Sequence, residues 1–199
     1  MKKRPPDPPS KSCGACNLCC IELPINTPEL QKKAQTPCSH LTDKGCGIYA
    51  TRFPICRQFL CGWRLFPELG EEWRPDLSGI MILQVAQKDL PEIYRPAGHG
   101  MQFLIMDGNE AAVTRPGVAE FVADQVSRGV AVYLTANAPR ALINEYLPVA
   151  ATGNLPIVRR IILHLCRLLM TARAQKGLLA MLPHFYRLHV EKLRAATIK

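Results

Sequence analysis

Eight cysteines crowded into the first third of the chain constrain its folding more than any other feature. They lie between residues 13 and 61, in a segment with little apolar periodicity from which a core could form. We therefore expect a bound metal to organise this segment. The candidate ligands are Cys13, Cys16, Cys19, Cys20, Cys38, Cys46, Cys56 and Cys61.

The start of the chain decides how these cysteines are interpreted. Residues 1–4 (MKKR) are basic, but residues 5–10 are proline-rich and lack the apolar region of a secretory signal. No apolar run reaches the roughly 18 residues that a transmembrane helix needs. We therefore expect a cytoplasmic protein, where thiols stay reduced and dense cysteines indicate metal or redox chemistry. The alternatives are a disulfide-bonded secreted module, reduced cysteines without metal, and redox switching at some of the eight.

The spacing of the first four cysteines is typical of a thiolate metal site. Residues 13–20 read CGACNLCC, so two C-x2-C pairs overlap and a fourth cysteine follows directly. Two intervening residues let a tight turn bring two sulfurs onto one metal, and Gly14 frees the backbone for that turn. Four thiolates complete one zinc ion or one iron–sulfur cluster. Eight are therefore enough for two separate sites, or for one larger cluster with shared sulfurs.

The assignment of ligands to metals stays open at two points. The side chains of adjacent Cys19 and Cys20 tend to diverge, so they serve different metals or only one of them is a ligand. His40 follows Cys38 by two residues and is a candidate to replace a sulfur. A solvent-exposed loop histidine is the simpler interpretation of His40.

The sequence favours zinc and keeps an iron–sulfur cluster as the alternative. Cys13, Cys16 and Cys19 share the spacing that opens a bacterial ferredoxin motif, but no cysteine is followed by proline as the fourth ferredoxin cysteine is. Nearby cations can offset an anionic thiolate–metal centre, and we favour this role for Arg52 and Arg57, which bracket Cys56. The basic residues near the cysteines are Lys11, Lys44, Arg52, Arg57 and Arg64.

Four short cysteine-containing motifs follow one another in this segment. Residues 13–20 (CGACNLCC) are followed by residues 37–41 (PCSHL), 46–52 (CGIYATR) and 56–59 (CRQF). Together they resemble the CxxCxxCC, or YkgJ-like, family of bacterial proteins described as zinc- or iron-chelating. Phe53 departs from the family pattern, which has proline directly after the arginine.

The resemblance covers residues 13–62 and implies zinc or iron binding by the eight cysteines. Some proteins with such a cluster are linked to flagellin lysine methylation. The resemblance implies nothing about residues 63–199.

The whole sequence predicts an α+β chain in four segments. Residues 1–12 are expected to be a disordered basic tail, 13–62 a cysteine-cluster metal module, 63–154 a small mixed α/β region, and 155–199 basic C-terminal helices. Hydrophobic periodicity, proline and glycine predict the individual elements. The expected helices are residues 27–33, 116–128, 157–170 and 178–193, the last kinked or divided at Pro183; the expected strands are 80–86, 101–106, 110–114 and 130–134, with the second and third joined as a hairpin at Asp107-Gly108-Asn109.

No catalytic constellation is legible, so the sequence leaves open whether the chain is an enzyme. His99 is interpreted as a loop residue, and Cys166 as a small hydrophobe inside a helix. We consider three functions: a non-catalytic zinc- or iron-binding protein, an iron–sulfur-dependent redox or protein-modifying enzyme, and an interaction protein. The last rests on nine Lys and Arg against one acidic residue in 155–199, a charge that suits nucleic acid or another anionic surface. A solvated helix face is the favoured interpretation of that charge, and no protein partner can be named.

Overall fold

The computed structural model describes residues 11–106, 109–136, 140–174 and 177–198. The chain divides into two compact units between Ser78 and Gly79. The sequence-based boundaries at residues 62 and 154 differ from this division. Residues 63–78 lie in the N-terminal unit with the cysteines, and residues 79–154 share a unit with the C-terminal helices. Residues 1–10 of the predicted tail lie outside the described residues.

The N-terminal unit is built from very short elements. Two antiparallel pairs, β1 with β2 and β3 with β4, each contain only two residues per strand. Such hairpins and one-turn helices are marginal by themselves, because they bury little apolar surface. The elements are α1 (Cys19–Glu22), β1 (Ile25–Asn26), β2 (Gln31–Lys32), β3 (Leu41–Thr42), β4 (Gly45–Cys46), α2 (Pro54–Gln58), α3 (Gly62–Leu65) and α4 (Pro75–Ser78), with 3-10 helices at Tyr49–Thr51 and Glu71–Trp73.

The helix predicted for residues 27–33 is wrong, because this segment forms the loop and second strand of the β1–β2 hairpin. The Thr27 hydroxyl oxygen accepts from the Leu30 N–H at 3.1 Å, the contact expected of a helix N-cap. The Thr27 N–H, however, donates back to the Leu30 carbonyl at 3.0 Å, which closes the loop. Thr27 therefore makes the hydrogen bond expected of an N-cap, but the structure that it stabilises is a turn rather than a helix.

A lysine ties the start of the described chain to the core of the N-terminal unit. The Lys11 Nζ donates to the carbonyls of Trp63, Phe66 and Leu69 at 2.9, 2.6 and 2.6 Å. Trp63 is buried, and its indole N–H donates to the Gly70 carbonyl at 3.0 Å. One ammonium group therefore binds carbonyls within and just beyond α3, which the short helix cannot bond itself.

The C-terminal unit contains a four-stranded mixed sheet and three longer helices, which confirms the α+β class. The strands lie in the order β5-β6-β7-β8, and only β6 and β7 are parallel. Helix α5 lies between β6 and β7 in the chain, as a parallel connection requires. The elements are β5 (Ile80–Ala86), β6 (His99–Ile105), α5 (Val118–Ser127), β7 (Val132–Thr135), β8 (Ala141–Leu142), α6 (Leu155–Arg173) and α7 (Leu178–Ala196), with 3-10 helices at Gln87–Asp89, Glu92–Ala97, Glu110–Thr114, Ile143–Glu145 and Val149–Ala151.

Two predictions for the region around β6 are wrong. Residues 110–114 form a 3-10 helix rather than a strand, because β6 already pairs with β5 on one side and β7 on the other. Asp107 and Gly108 of the expected turn lie outside the described residues. His99, expected in a loop, is the first residue of β6.

The prediction of a helix at 157–170 is confirmed, and its apolar face forms much of the C-terminal core. The Asn154 side chain caps α6 by accepting from the Ile157 N–H at 3.2 Å. Ile161 and Leu165 are fully buried, as is Cys166, which agrees with its interpretation as a small hydrophobe. Helix α7 packs against α6 and is not divided at Pro183. No helix in the described residues is long and apolar enough to cross a membrane.

Truncating α6 at its core tests this packing. We expect Ile161→Ala to lower the free energy of unfolding by about 2–5 kcal/mol, because it leaves a cavity at a fully buried position. The measurement is chemical denaturation followed by far-ultraviolet circular dichroism, which reports the helices. The matched control is Ile93→Ala, at a position 77% exposed, where we expect a change within about 0.5 kcal/mol. Equal losses in both variants would contradict the assignment of the core.

Candidate metal centre

Seven of the eight clustered cysteines line one cavity of about 470 Å³ in the N-terminal unit. The eighth, Cys61, is buried and is not among the lining residues. All nine cysteines of the chain are free thiols. The lining cysteines are Cys13, Cys16, Cys19, Cys20, Cys38, Cys46 and Cys56.

The first four cysteines are positioned by a tight turn and a one-turn helix. The Cys16 N–H donates to the Cys13 carbonyl at 2.8 Å, and the turn places Gly14 at φ +52°, where glycine is favoured. Cys19 and Cys20 then occupy adjacent positions at the start of α1. Successive helical residues project about 100° apart, but the two thiols do not diverge as expected, since they share a hydrogen bond.

A backbone hydrogen bond connects Cys20 with Cys38, which lies just before the β3–β4 hairpin that contains Cys46. The Cys38 N–H donates to the Cys20 carbonyl at 2.9 Å, and the Cys38 carbonyl accepts from the Leu41 N–H at 2.9 Å. Leu41 pairs directly with Cys46 across the hairpin. Cys56 comes from α2, where Pro54 occupies a first-turn position that needs no N–H donor.

Cys61 lies at the N-cap of α3, on the element that Lys11 binds. Its carbonyl accepts from the Arg64 N–H at 3.0 Å. The buried Arg64 guanidinium in turn donates to the Cys13 sulfur at 3.6 Å and to the Lys11 carbonyl at 3.1 Å. Arg64 therefore connects the cysteine at the start of the cluster with the element that carries the last one.

Burial raises the pKa of several of these thiols, because a thiolate is poorly solvated in the interior. It is the main cause at Cys16, whose pKa rises to about 11, and at Cys56 and Cys61. Cys19 and Cys20 share a hydrogen bond that raises the pKa of Cys19 and lowers that of Cys20. The positive charges of Lys32 and Arg52 further lower the pKa of Cys20.

The structure places only some of the predicted cations beside the thiols. Arg52 lies near Cys20 and Cys56, and its guanidinium stacks on Tyr49 at 3.8 Å. Arg57, the other favoured residue, is exposed on α2.

Lys44 lines the cavity from an exposed position, while Arg64 and Lys11 have the contacts described above. The predicted alternative ligand His40 also lines the cavity, and its ring packs against Phe53 with centroids 5.6 Å apart.

Two charged residues of the centre were missed by the sequence analysis. Lys32 donates to the Ile21 and Leu23 carbonyls at 2.9 and 2.6 Å, which places its charge beside Cys19, Cys20 and Cys38. Asp76 hydrogen-bonds the Cys16 thiol, and the Arg74 guanidinium lowers the pKa of that carboxyl. Neither residue lies in a cysteine motif, so spacing gave no signal for them.

The donor chemistry fits a thiolate metal site, although the ligands are not arranged around an ion. Within residues 11–106, 109–136, 140–174 and 177–198, no group of three or more His, Cys, Asp and Glu side chains is positioned to hold a metal. The fit lies in the donor set itself, because soft thiolates suit zinc and iron–sulfur clusters. Metal ligation would require these thiols to lose their protons.

Comparisons with known proteins add no relative. No protein-family model matches the chain, and no curated protein or solved structure matches it either. The resemblance to the CxxCxxCC proteins therefore stays a prediction from the quoted motifs.

Removing the Lys11 ammonium tests the bond between the start of the chain and α3. We expect Lys11→Met to lower the free energy of unfolding of the N-terminal unit by about 1–3 kcal/mol, because part-buried carbonyls lose a charged donor. Tryptophan fluorescence measures this unit, since both tryptophans, Trp63 and Trp73, lie in it. The matched control is Lys33→Met at an exposed position, compared under the same metal loading. A loss of equal size in the control would contradict the role of Lys11.

The burial of Cys166 predicts a contrast in thiol reactivity. Only the thiolate is nucleophilic, and burial raises the pKa of Cys166 to about 12. A thiol with this pKa has roughly a thousandfold less thiolate at neutral pH than an ordinary cysteine. Timed alkylation of metal-free native protein with peptide mass mapping should therefore modify Cys20, whose pKa is lowered, long before Cys166. The same reaction in denaturant is the control and should remove the contrast. Equal native rates would contradict the buried environment of Cys166.

Proposed function

We propose that the chain is a metal-binding protein whose N-terminal unit chelates zinc or iron through cysteine thiolates. The observation that carries this proposal is the convergence of seven thiols on one cavity, from segments spread over residues 13–56. A unit of two-residue strands and one-turn helices has little apolar core to stabilise such a convergence. Metal–thiolate bonds would supply that stabilisation, since metal affinity adds directly to folding free energy in small sites.

The charges around the cavity support a thiolate centre. A zinc ion with four thiolates carries a net charge of about −2, which has to be offset in a partly buried environment. Lys32 and Arg52 lie beside Cys20, and Arg64 lies beside Cys13. These cations would stabilise the deprotonated thiols that a metal requires. All-thiolate donors accept zinc and iron–sulfur clusters alike, and zinc remains the favoured ion on the cysteine spacing.

A second candidate function is an iron–sulfur-dependent redox or protein-modifying enzyme. It is favoured by the composition of the cavity wall, where Ile25, Ile48, Tyr49, Phe53 and Phe59 accompany the thiols. The volume of about 470 Å³ lies within the usual range of small-molecule pockets, roughly 300–1,000 Å³. A cluster bound by the thiols would therefore face a partly apolar space that is able to hold a substrate group.

Recognition of an anionic partner by the C-terminal helices has less support. Arg159, Arg160 and Arg167 form ion pairs with Glu120, Glu191 and Glu110 at 2.5, 2.8 and 2.9 Å. Exposed ion pairs add little stability, but they occupy the guanidinium groups that would bind phosphate. Three of the guanidinium groups that would bind such a partner are therefore already paired within the unit.

Anaerobic purification of the untagged full-length protein, with elemental analysis and a visible spectrum, tests the proposal. We expect at least one equivalent of zinc in colourless protein, or iron with acid-labile sulfide in brown protein. Absorption that dithionite bleaches would support the enzyme candidate. Cys166→Ala is the control and should retain the full metal content, because this cysteine lies outside the N-terminal unit.

Less than half an equivalent of bound metal, unchanged after anaerobic reconstitution with zinc or with iron and sulfide, would contradict the proposal. Retention of the full metal content after replacing Cys20 and Cys38 together by serine would also contradict it.

A further inference from the structure

We propose that a groove formed by α6 and α7 is a binding site for a phosphate group. The groove has a volume of about 450 Å³ and lies in the C-terminal unit, apart from the cysteines of the candidate metal centre. This inference therefore does not depend on the proposed metal-binding function. The lining residues are His164 of α6 and Tyr186, Arg187, Val190, Glu191 and Arg194 of α7.

A buried histidine in the wall of the groove is the observation that points to a ligand. His164 is only 8% exposed, yet it is one of the lining residues. Its Nδ1 atom is buried and has no hydrogen-bond partner among the described residues. Leaving a buried polar atom unpaired is costly, so native structures nearly always supply it with a partner. An oxygen of a ligand in the groove would provide that partner.

The charged side chains at the groove have an excess of positive charge. Glu191 is buried, and its carboxylate is paired with the guanidinium groups of Arg160 and Arg194, each at 2.8 Å. Arg187 is exposed and forms no ion pair within the described part of the chain. One negative charge therefore faces three positive charges at this site.

This excess of two charges favours phosphate over other small anions. A phosphate monoester carries a charge of about −1.5 to −2 near neutral pH, whereas a carboxylate would offset only one of the two charges. Guanidinium groups suit phosphate oxygens because their N–H donors form a planar fork. Arg187 and Arg194 are about two turns apart on α7, so both lie on the same face of the helix. The site suits one phosphate group rather than an extended anionic surface, because the basic residues of α6 are paired elsewhere.

The surroundings of His164 are also those of an anion site. Burial lowers the pKa of His164, and the positive charges of Arg187 and Arg167 lower it further. Glu191 acts in the opposite direction, while His184 on α7 lowers the pKa as the arginines do. A bound phosphate would favour the protonated ring, which donates hydrogen bonds from both nitrogens.

Apolar side chains beside the groove bear on the source of the phosphate. Residues four apart on a helix are neighbours, so Leu178, Leu182 and Tyr186 form an exposed row that continues to Val190 in the groove. A phosphate ester with an apolar substituent would contact this row, whereas inorganic phosphate would not. The phosphate group is the chemistry that both ligands share.

Isothermal titration calorimetry of the full-length protein with inorganic phosphate and with hexyl phosphate tests the site at neutral pH and fixed ionic strength. We expect saturable binding, tighter for hexyl phosphate if an apolar ester is the source and equal for both probes if free phosphate is. Arg187→Gln should weaken binding about tenfold or more, because it removes a charged donor to the phosphate. Lys192→Gln is the matched control, since it removes the same charge from an exposed position of α7 outside the groove. We expect it to change the affinity by no more than about twofold, because exposed charges are screened by salt.

The ring signals of the histidines report on the buried wall of the groove without any substitution. In nuclear magnetic resonance spectra of the wild type, with the rings assigned by through-bond correlation, saturating hexyl phosphate should shift the His164 signals. The His189 signals are the control and should stay in place, because His189 is exposed on α7 and does not line the groove.

Absence of saturable binding by both probes would overturn the inference, because water would then be the only partner for His164. Equal weakening by Arg187→Gln and Lys192→Gln would overturn it as well, since that result indicates attraction by net charge alone. Unshifted His164 signals in the bound protein would also overturn it. None of these results changes the metal content of the N-terminal unit, so the proposed metal-binding function is tested separately.

Discussion

The cost of ionising closely spaced, partly buried thiols is the constraint on which the N-terminal unit depends. Seven thiols share one cavity wall, and an eighth is buried close to them. In the absence of metal, burial keeps several of these groups protonated, as the raised pKa values of Cys16, Cys56 and Cys61 indicate. The unit can therefore gather these cysteines as neutral thiols, whose protons a divalent ion would replace under the proposed metal-binding function. Arg64, Lys32 and Arg52 lie where this exchange would leave negative charge.

The sequence predicted which cysteines come together in the N-terminal unit better than it predicted the secondary structure there. Cysteine spacing identified the residues that the fold gathers, because thiol density depends on composition rather than on secondary structure. The helix expected at residues 27–33 failed, since a Thr-Pro-Glu start suits a turn as well as a helix when few apolar residues follow. Lys32 and Asp76 were missed because their positions depend on hydrogen bonds formed only in the folded chain.

Periodicity was more informative in the C-terminal unit, where apolar burial dominates. The strands near residues 80 and 101 and the long helix α6 lie close to their predicted bounds, because each element buries a continuous apolar face. Residues 110–114 have the composition of a strand, yet no free edge of β6 remains for them to join. Whether these residues form a strand depends on the order of strands in the sheet. The local sequence pattern carries no information about that order.

The adjacency of Cys19 and Cys20 has a consequence for the entropy that the proposed metal binding would cost. Helix α1 is only four residues long, and a helix of that length is not stable by itself. An ion bound by either residue would fix the backbone of both, so the entropy lost in ordering α1 would be lost only once. Under the proposed function, the second of the two thiols to bind metal would therefore meet an already ordered backbone and lose less entropy on binding.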